Sequence, residues 1–349
     1  MHDQLHEYVG AIHIHSTYSD GSKSIPEIAQ IAGEVGLDYL MFSDHHTLQP
    51  KRDCLEGWYS GVLVAIGYEI NDAADENHYL AFNLNDEIPA PYSPLEYVQA
   101  VHDRGGYGII AHPDEKRNAM KEYPAYPWKV WESSHYNGIE IWNQMSEWLE
   151  GLTHFNKYWR VFNPRRAILN PFPETIQKWD EVNRQRRVVG IGGVDAHGHI
   201  YKLWGFFQIT IFRYKVLFKT IRTHIITDKA LAGEGGACQD DIQNLYTNLF
   251  SCRCFISNYY VGDARGFRFW AENEKNKVLV GGDLKFDKYT HLHVNLPQPA
   301  QVHLMKDGKK IAVQKGQELV FETAEPGLYR VEVYSLNRPW IFSNHIRIV

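Results

Sequence analysis

Through its first 200 residues the chain repeatedly enters a short apolar stretch and leaves it on a histidine or a carboxylate. The stretch 9–21 sets the pattern. Apolar and polar residues alternate through Ala11, Ile12, His13, Ile14 and His15, which is the period of a β-strand. Successive strand side chains point to opposite faces, so His13 and His15 are expected to share one face and Ile12 and Ile14 the other. Two imidazoles on one face can address one ion. Asp20-Gly21 then turns the chain and supplies a third ligand-type side chain.

The same motif recurs. The apolar stretch 37–43 closes on Asp44-His45-His46, and 62–66 runs into Gly67-Tyr68-Glu69. The stretch 78–84 opens on His78, 107–111 ends at His112-Pro113, 138–142 carries Glu140, and 188–191 closes on Gly193-Val194-Asp195-Ala196-His197. Helical patterns separate them. Ser24 caps a helix with Pro26 in its first turn and an apolar stripe of Ile25, Ile28, Ala29, Ile31 and Ala32. Further helices are expected over 93–104, 144–159, 174–187 and 240–250. Repeated strand–helix units predict an α/β fold with a parallel sheet, most economically closed as a barrel. The candidate ligands fall at strand C-terminal ends, the face on which α/β barrels carry their chemistry.

From about residue 255 the style changes to short alternating strands. Leu292, Val294 and Leu296 share one face, Asp307-Gly308 is a two-residue hairpin signal, and Pro326-Gly327 turns into an alternating run through Tyr329, Val331 and Val333. Two domains are expected, 1–254 as the strand–helix unit and 255–349 as a small antiparallel β-sandwich. A length of 349 residues has room for both.

Composition narrows the function. A net charge of −6 provides no basic field for a nucleic-acid surface, and 18 histidines point toward metal chemistry. The four cysteines suit neither a disulfide framework nor a zinc knuckle, Cys252-Arg253-Cys254 being most simply a pair of thiols. The first residues lack the basic and apolar regions of a signal peptide, and no apolar run approaches the ~20 residues that span a bilayer. A cytoplasmic protein acting on a small molecule, with homo-oligomerisation open, is the expectation.

The ordered series His13-x-His15, Asp20-Gly21, Asp44-His45, Glu69, His78, Ala111-His112-Pro113 and Asp195-Ala196-His197 resembles the polymerase-and-histidinol-phosphatase (PHP) family of metallohydrolases. The β-rich C-terminal part and the Asp-Glu after His112-Pro113 resemble the branch that includes carbaryl hydrolase. The resemblance implies a distorted (β/α)7 TIM-like barrel and two or three divalent ions. It implies that His13, His15, Glu69 and Asp195 bind one ion, that Glu69 bridges to a second held by His78 and His112, and that Asp20, His45 and His197 bind a third. If the third is absent, those three side chains orient substrate or transfer protons as catalytic residues.

The residues support such a site independently of the family. Imidazole and carboxylate ligands suit Zn, Mn or Fe, and two ions ~3.5–4 Å apart need a bridging carboxylate, for which Glu69 is placed. Asp44, beside His45, is expected to accept from an imidazole and fix its tautomer, and Glu140 to do the same, to cap a helix or to form a salt bridge. The pair His291-Leu292-His293 is an internal control: no carboxylates follow it, and solvent exposure is the expected reading. His46, His199 and His224 have no assigned role. The aromatic residues Tyr123, Tyr126, Trp128, Trp131, Tyr136, Trp142, Trp148 and Trp159 either wall a pocket or pack insertions onto the core. Lys116, Arg117, Arg165 and Arg166 are candidates to meet a substrate anion. The leading functional expectation is a phosphoesterase using water activated by a bi- or trinuclear metal centre. The alternatives are hydrolysis of a carbamate, ester or amide at the same centre, and a non-catalytic module that metal merely stabilises.

Overall fold

The computed structural model describes residues 5–89, 91–203 and 207–349. In chain order its first part runs β1 (His6–Ile12), α1 (Ile25–Glu34), β2 (Tyr39–His45), α2 (Gln49–Arg52), β3 (Gly57–Tyr59), β4 (Val62–Ile70), β5 (Tyr79–Phe82), α3 (Pro94–Asp103), β6 (Tyr107–Ile110), β7 (Gly138–Asn143) and α4 (Gln144–Glu150). It continues with α5 (Lys157–Phe162), α6 (Pro173–Asn183), β8 (Val189–Gly193), β9 (Ile200–Leu203), β10 (Phe207–Thr210), α7 (Tyr214–Leu217), β11 (Ile221–Thr227) and α8 (Cys238–Phe250). The remainder is strand: β12 (Cys254–Asn258), β13 (Arg268–Glu272), β14 (Lys277–Leu279), β15 (Asp283–Leu284), β16 (Thr290–Lys306), β17 (Lys309–Thr323), β18 (Gly327–Ser335), β19 (Arg338–Ser343) and β20 (Ile346–Ile348).

Helix starts follow their sequence signals. At α1 the Ser24 N–H and hydroxyl donate to Glu27 at 2.9 and 2.6 Å, and at α3 Ser93 does the same with Glu96 at 2.7 Å each. The helix expected over 144–159 is instead two, α4 and α5. They are separated by a turn at Gly151, against which the Arg160 guanidinium packs so closely that a Cβ would lie 1.7 Å from it.

The sheet is mixed rather than parallel. β1 pairs parallel with β2, β2 with β4, β6 with β7 and β7 with β8, but β4–β5, β5–β6 and β1–β11 are antiparallel. The cause is local: no helix lies between β4 and β5, so the chain returns directly beside the strand it has left. Nor do the ladders close a barrel. β8 and β1 share no ladder and are joined where they end, the Val194 N–H donating to Ile12 O at 3.0 Å, the Ala196 N–H to His13 O at 3.2 Å and the His15 N–H to Ala196 O at 3.0 Å. What the structure establishes is a mixed α/β arrangement around a large open sheet.

Alternate residues of these strands enter two separate apolar clusters. Val9, Ala11, Leu40, Phe42, Val64 and Ile66 belong to one, and Ile12, Met41, Leu63, Ala65, Ile109 and Ile191 to the other. Burial on both faces explains why these strands read as near-continuous apolar runs. The C-terminal strands have a third cluster of their own, including Phe269, Leu292, Val294, Val331 and Trp340. Asp307 and Gly308 both take positive φ, 50° and 82°, as a type I′ hairpin turn requires. At the expected boundary, β12 begins at Cys254 and pairs with β11 on one side and β19 on the other.

Candidate metal centre

All nine expected ligands converge. His45 is the last residue of β2, Glu69 lies within β4, His78 immediately precedes β5, and the others follow strand ends. The regular strand stops at Ile12, one residue short of the expected pair, because His13 turns into the left-handed region at φ 68°. His112 (φ 26°) and Asp195 (φ 50°) leave β6 and β8 in the same region. Non-glycine residues there cost about 1–3 kcal/mol each and persist where surrounding structure holds them. Asp20 is brought back by Gly21, where a Cβ would sit 2.3 Å from the His15 carbonyl oxygen.

Glu69 is the centre of the cluster. Its Oε2 faces His13 Nε2 at 3.2 Å, His15 Nε2 at 3.3 Å and His45 Nδ1 at 3.5 Å. Its Oε1 faces His78 Nδ1 at 2.7 Å and His112 Nε2 at 3.6 Å. Asp195 Oδ1 lies 3.5 Å from His13 Nε2, 3.6 Å from His15 Nε2 and 3.4 Å from His197 Nδ1. Asp20 Oδ2 is 3.3 Å from His197 Nε2, and its Oδ1 is 3.7 Å from His15 Nδ1 and 3.9 Å from His45 Nε2. Three sets of ligand atoms lie within 4.8 Å of one another: His15, Asp20, His45 and His197; His13, Glu69 and His112; and His13, His15 and Asp195.

The donor set fits divalent cations. Both ring nitrogens of His15, Nε2 of His78 and Nδ1 of His112 are buried without a hydrogen-bond partner. Each such group costs about 1–3 kcal/mol if nothing compensates it, and a bound cation is the natural compensation. The local field points the same way. Burial alone would push the His13 imidazole down, but Asp195, Glu140 and Glu69 outweigh it and hold it well above its ordinary value. Against the same opposing burial, Asp195 and Glu69 lift His15 to about 9, and Glu69 and Asp75 lift His78 to about 10. Burial would raise Glu69 and Asp195, yet the imidazoles around them keep both well below the usual carboxylate range. His45 is pushed down to about 4, burial outweighing Glu69. The carboxylates thus draw positive charge into a water-poor place, which metal ions can supply while the imidazoles stay neutral as ligands.

The supporting residues divide. Glu140 stands behind His13, with Oε1 3.1 Å from Nδ1, while its Oε2 accepts from the His112 N–H and Asn143 Nδ2 at 2.9 Å each. Gly193 makes this possible, since a Cβ there would lie 1.7 Å from Glu140 Oε1. Asp44 does not hold an imidazole as expected. Side chains alternate along β2, so it points away from His45 and accepts from the Ser16 N–H, the Ser16 hydroxyl and the Ser19 hydroxyl at 2.7 Å each. It fixes the loop that carries Asp20.

A cavity of about 290 Å³ opens over the cluster and is lined also by Asp75, Glu115, Arg117, Tyr123, Tyr126, Met145, Leu149 and His199. Of the added acids Asp75 carried no signal in the sequence, whereas Glu115 is the second residue of the Asp-Glu that follows His112-Pro113. Asp75 Oδ1 is 3.6 Å from His78 Nε2, and buried Glu115 pairs with Arg117 at 2.5 Å and accepts from the Tyr126 N–H at 2.7 Å. Of the four basic candidates Arg117 lines the cavity, whereas Lys116 pairs with Glu174 at 2.8 Å and Arg165 donates to the Tyr259 carbonyl at 3.1 Å. Of the aromatic candidates Tyr123 and Tyr126 wall the cavity, Tyr126 stacking on His78 with centroids 5.0 Å apart, while Trp128, Tyr136, Trp142 and Trp148 are packed in the core. His199 stacks on His197, with centroids 4.9 Å apart. His224 is bound elsewhere, by Glu7 and Ser257 at 2.7 Å each, and His293 faces Glu272 outside the three ligand sets.

These features define a class: a mixed α/β protein whose strand ends gather a buried cluster of metal-ligating type. No family model matches the chain. It is 31% identical over 115 residues to the uncharacterized protein MJ1587 of Methanocaldococcus jannaschii, an alignment covering 29% of this chain and 66% of that one, just under two thirds of its length. Among solved structures it is similar to a two-domain protein of Bacteroides vulgatus containing a predicted PHP-like metal-dependent phosphoesterase. The identity is 14% over 98% of this chain and 95% of that one, at a TM-score of 0.48. It is also similar to a predicted metal-dependent phosphoesterase of Bifidobacterium adolescentis, at 16% identity over 58% of this chain and 90% of that one, TM-score 0.34. A Chromobacterium violaceum amidohydrolase with bound sulfate and no metal matches at 11% identity over 56% and 91%, TM-score 0.33. All three of these TM-scores lie below 0.5.

Proposed function

We propose that this chain is a metal-dependent hydrolase of the PHP type that cleaves phosphate esters. The observation that carries the proposal is the division of Glu69, whose Oε2 faces His13, His15 and His45 while Oε1 faces His78 and His112. A carboxylate shared in this way could serve two neighbouring divalent ions at once. His13, His15, Glu69 and Asp195 would hold the first ion, Glu69, His78 and His112 the second, and Asp20, His45 and His197 a third. In the same reading, residues 1–254 are the metallohydrolase unit of that family, built here on an open sheet, and residues 255–349 an appended sandwich domain. The four free cysteines fit a reducing, cytoplasmic setting.

When bound, the divalent ions supply Lewis acidity and water in nucleophilic form near neutral pH. The chain's own residues do the rest. Glu140 takes the Nδ1 proton of His13 as a hydrogen bond and so keeps Nε2 turned to the centre. With two ions bound, Asp20 and His197 remain on the cavity wall, and His197 Nε2 is the atom placed to pass a proton to the leaving alkoxide. Arg117 brings to the cavity a guanidinium able to meet phosphate oxygens.

A second reading is hydrolysis of a carbamate, ester or amide at the same centre, as the carbaryl-hydrolase resemblance suggests. It is favoured by the presence of Tyr123, Tyr126, Met145 and Leu149 in the cavity lining. Metal analysis combined with turnover of para-nitrophenyl phosphate mono- and diesters and of naphthyl carbamates separates the readings. At least two ions per chain and chelator-sensitive phosphoester cleavage are expected. A preference for carbamates would install the second reading, and a metal-loaded protein with no turnover would leave only a metal-stabilised binding module.

A further inference from the structure

The segment 151–169, which directly follows α4, is inverted in polarity. Its buried side is held by an arginine: Arg160 donates through Nη1 to the Trp148 carbonyl at 2.8 Å, and Trp148 Nε1 donates to the Arg160 carbonyl at 3.1 Å. Its outer side is aromatic. Phe155, Tyr158, Trp159 and Phe162 are 101, 69, 49 and 79% exposed. They recur at i, i+3, i+4 and i+7, the spacing of one helical face, and the turn beginning at Thr153 leads straight into α5. A contiguous exposed patch of large aromatic side chains marks an interaction surface, where a single exposed ring would mean nothing.

Charge indicates what the face meets. In a chain of net charge −6, residues 151–169 contain no Asp or Glu and four cations, Lys157, Arg160, Arg165 and Arg166. Arg160 is buried and Arg165 is tied to Tyr259, but Arg166 is exposed, and the Lys157 ammonium lies 5.3 Å over the Tyr158 ring. Neither Lys157 nor Arg166 has an ion pair among the described residues. A second copy of the chain set on this face about a two-fold axis would bring these like charges toward themselves. An anionic bilayer, by contrast, accepts Phe, Tyr and Trp at headgroup depth with Lys and Arg beside them.

We propose that the 151–169 segment is a peripheral membrane-docking face that binds anionic phospholipid. It crosses nothing: no helix among the described residues is long and apolar enough to span a membrane. By itself such a face gives reversible, salt-sensitive attachment.

The test is co-sedimentation of the full chain with vesicles of phosphatidylcholine alone or with about one third phosphatidylglycerol, at about 50 and 500 mM salt. Partitioning onto the anionic vesicles should exceed that onto neutral ones by at least about tenfold at low salt and fall steeply at high salt. The triple variant Phe155→Ser, Trp159→Ser, Phe162→Ser should lose it with its melting temperature unchanged, and Lys157→Gln with Arg166→Gln should weaken it. Brominated lipid should quench Trp159, an effect that Trp159→Phe removes. Equal partitioning onto both vesicle types, or binding untouched by the triple substitution, would overturn the proposal. So would a wild-type dimer that the triple substitution converts to monomer without any vesicle binding, since the face would then belong to a second copy.

Discussion

Glu140 and His13, 127 positions apart in the chain, meet with Oε1 3.1 Å from Nδ1 in a wholly buried contact. The contact fixes which imidazole nitrogen looks into the cluster, because with Nδ1 turned to Glu140 it is Nε2 that faces Glu69 and Asp195. A carboxylate in this position also makes the ring a better donor to a metal. Glu140→Gln keeps the shape and removes the charge. We expect metal affinity or kcat/KM to fall by about 10–100-fold, with the fold retained by circular dichroism. Unchanged metal affinity in that variant would reduce Glu140 to a packing role.

Glu69→Ala removes the one group that touches both halves of the cluster. Hydrolysis should become undetectable and at least one ion per chain should be lost on dialysis, as elemental analysis would show. The protein should still fold, since β4 is held on both sides by β2 and β5. Full activity in this variant would remove the bridging assignment and with it the proposed mechanism.

That the candidate side chains would gather was legible in the sequence because most of them are polar residues at the edge of an apolar run, and strand ends are where an α/β sheet presents side chains together. The strand edges were less so. His13 is not the regular strand residue its alternation suggests, since a positive φ at a histidine carries no mark in composition. The mixed sheet was hidden for a different reason: an antiparallel return from β4 to β5 and a parallel crossover both begin with an apolar run. Asp44 was misread because adjacency in sequence to His45 means opposite faces on β2. Asp75 lies in a loop whose course only the folded chain determines, and no spacing rule places such a residue beside His78.

Glu147 offers a stability test away from the ligands. Burial raises its pKa to about 7, against hydrogen bonds from Trp142 Nε1 and the Asn170 N–H at 2.7 Å each, which favour the charged form. The folded value lies above the ordinary 4.5, so the native state holds the proton more tightly. Its contribution to stability is therefore complete below pH 4.5 and is lost as pH rises through about 7. The shift corresponds to at most about 3 kcal/mol. Glu147→Gln cannot titrate. Denaturant melts at pH 5 and pH 8 should show the wild type losing about 2–3 kcal/mol more than the variant over that interval. Parallel pH profiles would mean that the carboxylate is ionised throughout.

Asp180 on α6 and Arg330 on β18 form a buried fork, Nε to Oδ1 at 2.7 Å and Nη2 to Oδ2 at 2.8 Å, and His345 Nε2 adds a third contact to Oδ1 at 2.7 Å. Burial would raise the Asp180 pKa, but Arg330 and His345 override it and hold the carboxyl below its usual range. This pair ties the strand–helix part to the C-terminal strands, together with Asn344, which bonds the Gly190 N–H and carbonyl at 2.8 and 2.9 Å. Breaking it on one side strands a charge. Arg330→Met should cost about 3–5 kcal/mol, because Asp180 is left buried without its partner. Asp180→Leu with Arg330→Met, which removes both charges, should recover much of that loss. If the two parts melt as one unit, the single variant lowers one shared transition in a calorimetric scan. If they are separate folding units, it lowers the two unequally and splits them. The double variant distinguishes a lost ion pair from mere mispacking, since only the former is rescued by deleting the second charge.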